Sequence, residues 1–113
     1  MVNTPWCSII IPTLSDNPPT LKSLPPPGEL ERLGIELIVS KDMGWRNASR
    51  TRNMGAMRAR GEVLCFIDDD ASLNFHKLLD LLRRVSERER VRMVRSTTSS
   101  HSKVRHFHIG WRL

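Results

Sequence analysis

Long apolar runs are missing from this sequence: no stretch approaches the ~18 residues that a membrane span requires. The N-terminus has neither the charged nor the apolar region of a signal peptide, so a cytoplasmic location with no membrane span is the expectation. Cysteine is scarce too. Cys7 and Cys65 each lie inside an apolar run, which excludes a disulfide framework and any zinc spacing and predicts two buried thiols in a reducing interior. Aromatic residues make up only 5% of the chain. They provide no stacking platform, and no RNP-like motif or recognition-helix pattern accompanies them, which argues against a nucleic-acid-binding protein. Internal repeats and interdomain linkers are also absent, and the only biased tract is a proline cluster. With 113 residues the expectation is a single small domain over residues 1–113.

What is present is positive charge. The net charge is +6, and Arg, whose planar fork suits phosphate geometry, supplies most of it. An anionic partner is therefore expected, its class left open by charge alone.

Three runs, Cys7 to Ile11, Ile35 to Val39 and Val63 to Ile67, are continuous rather than alternating, as strands buried on both faces of a parallel sheet read. Between the second and third, a helix from about Ala48 to Arg60 carries Ala48, Gly55 and Ala59 on one face, small enough for close approach to a sheet. Prolines 18, 19 and 25–27 break the first crossover into short pieces, Thr20 to Leu24 and Glu29 to Leu33. Phe75, Leu78, Leu79, Leu82 and Val85 recur at helical spacing and predict an amphipathic helix. Val91 to Arg95 then reads as a fourth strand, Ser96 to Ser102 as a polar loop, and Lys103 to Trp111 as a final strand at the sheet edge. The fold expected is α/β, with a mostly parallel, Rossmann-like sheet, flanking helices and strand order 3-2-1-4.

The most informative stretch is Arg50 to Asp70, RTRNMGAMRARGEVLCFIDDD. Three successive Asp repel one another, and after a buried strand they need either full solvation or a cation among them. A solvated turn that caps the next helix is one reading. A hard divalent ion held by carboxylate oxygens is the other. Ligands of open α/β sheets bind at the carboxyl rim, where Thr13, Asp42 and Asp68 to Asp70 converge. Arg46, Arg50 and Arg52 sit near the start of the helix after strand two. Cations there oppose the macrodipole by ~0.3 to 1 kcal/mol each, a conflict that a bound diphosphate resolves.

SIIIPT at Ser8 to Thr13, ELIVSKD at Glu36 to Asp42 and RTRNMGAMRARGEVLCFIDDDA at Arg50 to Ala71 together resemble the nucleotide-binding half of family 2 glycosyltransferases of the GT-A fold, over residues 7–75. The resemblance implies a nucleotide-diphosphate sugar as donor, an unknown acceptor, and Mg²⁺ or Mn²⁺ on the diphosphate. It implies nucleotide contacts from Pro12, Thr13, Asp42, Arg46, Arg50, Arg52, Asn53 and Asp68, and metal ligands in Asp68 and Asp70. Strand alternation turns Asp69 away or into a supporting contact. A further metal ligand in some relatives implies His106 or His108, although such alternation also marks the wet face of an edge strand. Trp45 suits either a stack on a base or the rim of the core.

The sequence departs from the family in two places. Ser40-Lys41-Asp42-Met43-Gly44 keeps one acid of the usual Asp-Asp-Gly-Ser turn. Beyond Asp70 the acids are Asp80, Glu87 and Glu89, all assigned to the amphipathic helix, so no catalytic base is identified. Two alternatives follow: a nucleotide-sugar-binding protein without turnover, and a basic nucleic-acid-binding protein. If the chain is an enzyme, a second copy has to complete the site, and a homodimer paired through Lys103 to Trp111 is expected.

Overall fold

A computed structural model describes residues 4–87, 94–95 and 107–111. The described residues form a five-stranded sheet of order β2-β1-β3-β5-β4. Its strands are β1 (Cys7–Thr13), β2 (Ile35–Lys41), β3 (Val63–Ile67), β4 (Val94–Arg95) and β5 (Phe107–Trp111). β1 runs parallel to both β2 and β3, with Ile9 opposite Leu37 on one side and Cys65 on the other. β5 is antiparallel to β3 and β4. The helices are α1 (Pro27–Arg32), α2 (Ala48–Arg58) and α3 (Phe75–Glu87), and a 3₁₀ turn covers Pro19–Ser23.

The expected order 3-2-1-4 is corrected: β1, not β2, is the middle of the three parallel strands, and β2 lies at the sheet edge. Six of the seven residues of β1 are buried, whereas β2 is only partly buried, as an edge strand is. The βαβ connection through α2 therefore crosses over β1 to reach β3. The C-terminal strand is corrected as well. Phe107 and Ile109 are buried core residues, so β5 is pulled inside the sheet between β3 and β4 instead of lying at its edge. Its observed span is Phe107–Trp111, and that of the fourth strand is Val94–Arg95. The remainder of both predicted strands, the polar loop, His106 and Glu89 lie outside the described residues.

Alternation along the strands splits the core in two. Cys7, Ile9, Ile11, Cys65, Ile67 and Ile109 face Leu30 of α1 and Leu78, Leu82 and Val85 of α3. Ile10, Ile38 and Leu64 face the other way, toward Ala56 and Ala59 at the end of α2. α2 packs tightly enough that a Cβ at Gly55 would lie 2.6 Å from Ile10 Cγ2. α1 begins on Pro27, where a missing N–H costs nothing. It stops at Gly34, whose φ of 79° suits the left-handed cap position. The Trp6 ring closes over that cap and donates from Nε1 to the Leu33 carbonyl at 2.8 Å.

The amino-terminal rim is tied by Glu36. Its carboxylate accepts from Ser8 Oγ at 2.6 Å and from the Arg60 N–H at 2.7 Å, and Arg60 Nε lies 3.2 Å away. Burial works to raise its pKa, but these donors outweigh burial and lower it. The carboxyl-terminal rim, by contrast, opens onto a cleft.

Candidate functional site

The cleft encloses about 570 Å³ and takes its walls from three strand ends and the first turn of α2. Pro12, Thr13 and Leu14 come from the end of β1, Asp42 from β2, and Asp68, Asp69 and Asp70 from β3; Arg46, Ala48, Thr51 and Arg52 complete it. The structure thus brings together seven residues singled out from the sequence: Pro12, Thr13, Asp42, Arg46, Arg52, Asp68 and Asp70. Arg50 does not line the cleft. Its guanidinium stacks on Trp45, 4.4 Å from the ring centroid. Asn53 is exposed on α2 away from the lining, and His108 is half-buried on β5 opposite Phe66.

Asp42 is 9% exposed and holds the β2–α2 turn together. Oδ1 accepts from the N–H groups of Gly44 (2.8 Å) and Arg46 (3.0 Å), and Oδ2 from the Asn47 N–H (3.1 Å) and the Thr51 hydroxyl (3.0 Å). Burial alone would raise the pKa of this carboxyl. Donation from Arg46, Gly44, Thr51 and Asn47 overcomes that and lowers it to about 2. The turn needs such anchoring because Arg46 has φ 52°, a left-handed conformation that costs a residue with a Cβ roughly 1 to 2 kcal/mol. Asn47 then caps α2, accepting from the Arg50 N–H at 3.0 Å.

Asp69 has a similar supporting place. Its Oδ2 accepts from the Thr13 hydroxyl at 2.8 Å, and its carbonyl accepts from the Thr20 N–H at 2.9 Å. Thr13 Oγ1 in turn accepts from the Ser15 N–H at 3.0 Å. These bonds fix the ends of β1 and β3 side by side and leave Asp68 and Asp70 exposed along the cleft. Sequence reasoning missed Thr51 and Leu14. A Thr in the first turn after an Asx-rich loop was the available signal for the first. Leu14, 67% exposed, had none beyond its place after the strand.

Among the described residues no group of three or more His, Cys, Asp and Glu is arranged to hold a metal ion. Two carboxylates on an open cleft nevertheless fit a hard divalent ion such as Mg²⁺. That ion keeps several waters and is commonly held by one or two carboxylates together with substrate phosphates.

The match to Glycosyl transferase family 2 covers residues 31–112, from within α1 through β5, so it includes Asp42, α2 and the acid triplet but not β1. No curated protein and no solved structure matches the chain. The α/β architecture, the cleft at the carboxyl rim and the extent of this match give one assignment: the chain belongs to Glycosyl transferase family 2.

Proposed function

We propose that the cleft binds a nucleotide-diphosphate sugar together with Mg²⁺ or Mn²⁺, and that the chain transfers the sugar to an acceptor. One observation carries this reading. Arg46 and Arg52 share the cleft with Asp70, yet among the described residues none of these three takes part in an ion pair or a side-chain hydrogen bond. Opposite charges in one cleft that do not neutralise each other suit a ligand that is itself anionic and carries a cation. Asp68 and Asp70 would hold the metal, whose chemistry is to neutralise charge on the diphosphate leaving group. Arg46 and Arg52 would donate to phosphate or base oxygens. Pro12, Thr13 and the exposed Leu14 would form the wall for the nucleoside.

A second reading, binding without turnover, is favoured by the acids that line the cleft. Among the described residues these are Asp42 and the triplet. Asp42 is enclosed by its own turn, Asp69 takes the Thr13 hydroxyl, and the remaining two are the metal ligands of the first reading. No separate carboxylate is therefore placed to take a proton from an acceptor. Asp80 and Glu87 lie exposed on α3.

Titration of UDP and GDP, and of their sugars, with Mn²⁺ and with a chelator tests the site; release of free or transferred sugar tests turnover. Metal-dependent binding with sugar transfer supports the first reading, and the same binding without release supports the second. Identical weak signals with metal and with chelator defeat both.

A further inference from the structure

We propose that the outer edge of β2 is a self-association surface, on which a second copy of this chain lays its own β2 antiparallel about a two-fold axis at Ile38 and joins the two sheets into one. The proposal is independent of what the cleft binds. β2 is an end strand, with β1 on one side and, among the described residues, no strand on the other. The Asp42 N–H donates to the Thr13 carbonyl and the Gly34 carbonyl accepts from Trp6, so the even-numbered residues of this segment turn their backbone groups toward β1. Backbone groups alternate from one edge of a strand to the other, which turns those of Ile35, Leu37, Val39 and Lys41 outward. Among the described residues these outward groups have no hydrogen-bond partner. Natural sheets guard such an edge with brevity, proline, a bulge or charge. β2 is seven residues long, contains no proline, and pairs with β1 without interruption from Cys7 opposite Ile35 to Thr13 opposite Lys41. Its inner charge, Glu36, is drawn onto Ser8 and Arg60, which leaves Lys41 at the very end as the exposed one.

A groove of about 630 Å³ follows this edge, lined by Ile35, Leu37 and Val39 of the strand, by Glu31 and Arg32 of α1 and by Arg60. The strand itself is the occupant that fits. With Ile38 on the axis, Leu37 of each copy stands opposite Val39 of the other, and Ile35 opposite Lys41. These are the residues with outward backbone groups, so each finds its partner. A one-residue slip would set outward groups against inward ones, and a two-residue slip pairs fewer of them. Lys41 of one copy then arrives at the Ile35 end of the other, where Glu31 lines the groove, and the symmetry makes this contact of opposite charges twice. The present ion pair of Lys41 with Asp16 is exposed and costs little to exchange. Pairing consumes the free β2 edge of both copies, so association stops at two.

The experiment combines light scattering with amide hydrogen exchange from micromolar to millimolar protein, at about 150 mM salt to screen the charge of +6 on each copy. The proteins are wild type, Val39→Pro, and two double variants, Leu37→Lys with Val39→Lys and Leu37→Lys with Val39→Glu. Proline at 39 removes an outward N–H and leaves the β1 ladder whole. Wild type is expected to rise from the mass of one chain to that of two. Its Leu37 and Val39 amides are expected to gain protection with concentration, while those of Ile38 and Ser40 are protected throughout. Val39→Pro is expected to raise the dimer Kd roughly tenfold or more. The double-lysine variant sets like charges opposite each other and is expected to stay monomeric, whereas the lysine–glutamate variant sets opposite charges there and is expected to dimerise. Wild type that remains monomeric, grows beyond two chains, or dimerises without added protection at Leu37 and Val39 overturns the proposal. So does a Val39→Pro or double-lysine variant that dimerises like wild type, or a folded lysine–glutamate variant that does not dimerise. Should a variant not fold, the mass and the amide pattern of wild type still decide.

Discussion

Asp42 illustrates how one side chain sets the behaviour of a loop. Its folded pKa of about 2 lies below the ordinary 3.8, so its stabilising effect is complete above pH 3.8 and is lost as the pH falls through about 2. Denaturant unfolding at pH 5, 4, 3 and 2 should show wild type more stable than Asp42→Asn at pH 5, with the gap closing toward pH 2. A gap independent of pH would mean that the charge is not what holds the turn. The thiols respond differently. Burial, and then the charge of Glu36, push Cys7 up to about 12, and burial with the neighbouring Cys7 raises Cys65 well above the ordinary thiol value, so neither forms a thiolate at neutral pH. Alkylation of both should be undetectable in the native protein and complete on unfolding; reaction under native conditions would contradict the buried placement. For the proposed metal site, Asp70→Asn should abolish the Mn²⁺-dependent part of UDP or GDP binding without lowering the thermal midpoint of the free protein. Asp68 to Asp70 were legible in the sequence because three adjacent carboxylates after an apolar strand are rarely neutral in meaning. The engagement of Asp42 was not, since its donors are mostly backbone groups whose direction depends on a positive φ at Arg46.

Among the elements, α2 carries Arg52 and follows directly on the turn that carries Arg46, so its seating on the sheet controls where the cleft's positive charge lies. Gly55→Ala gains up to ~1 kcal/mol in helix propensity. The new Cβ, however, would stand 2.6 Å from Cγ2 of the fully buried Ile10 and 3.0 Å from Ser40 Cβ. Overpacking of about 1 to 3 kcal/mol prevails, so a net loss on the order of 1 kcal/mol is expected, with weaker nucleotide binding as α2 shifts outward. A stabilised variant would show that the helix has room to move. Arg52→Ala should weaken diphosphate binding by about 1 to 3 kcal/mol, as loss of a charge-assisted hydrogen bond does. Arg50→Ala should weaken it much less, because that guanidinium is held on Trp45. Calorimetric titration of both variants separates the two roles, and equal losses would return Arg50 to the ligand. The Ala48–Arg58 helix and the three parallel strands were readable from runs of like residues. Strand order was not: continuous apolar runs say that β1 and β2 are buried, but not which is more so. The answer came from the crossover of α2 over β1. β5 was assigned to an edge because its His residues alternate, while the deciding signal was the other register, Phe107 and Ile109, which the core claims.

At the level of the whole molecule, neither the sheet's edges nor its net charge favours an extended partner through β5. β3 lies along one side of that strand, and on the other Val94 and Arg95 of β4 pair with Ile109 and His108, so a two-fold pairing through β5 would have to displace β4 there. A homodimer, which we still propose as the way to complete the acceptor side, would have to form on another surface, and light scattering reads its mass directly. The net charge of +6 raises the separate question of nucleic acid. A phosphate-tracking surface neutralises several phosphates at once, and its affinity falls steeply with salt whether or not metal is present. A cleft holding one diphosphate releases few counterions and depends on its cation. Binding of labelled DNA and of UDP or GDP, each measured from 50 to 200 mM salt with Mn²⁺ and with chelator, should therefore diverge. DNA binding is expected to be weak, indifferent to metal and reduced by orders of magnitude across that range. Nucleotide binding is expected to change only a few-fold with salt and to vanish with the metal. If the nucleotide signal instead follows the steep, metal-independent course of DNA, the arginines act as a general phosphate surface and the cleft is not a donor site.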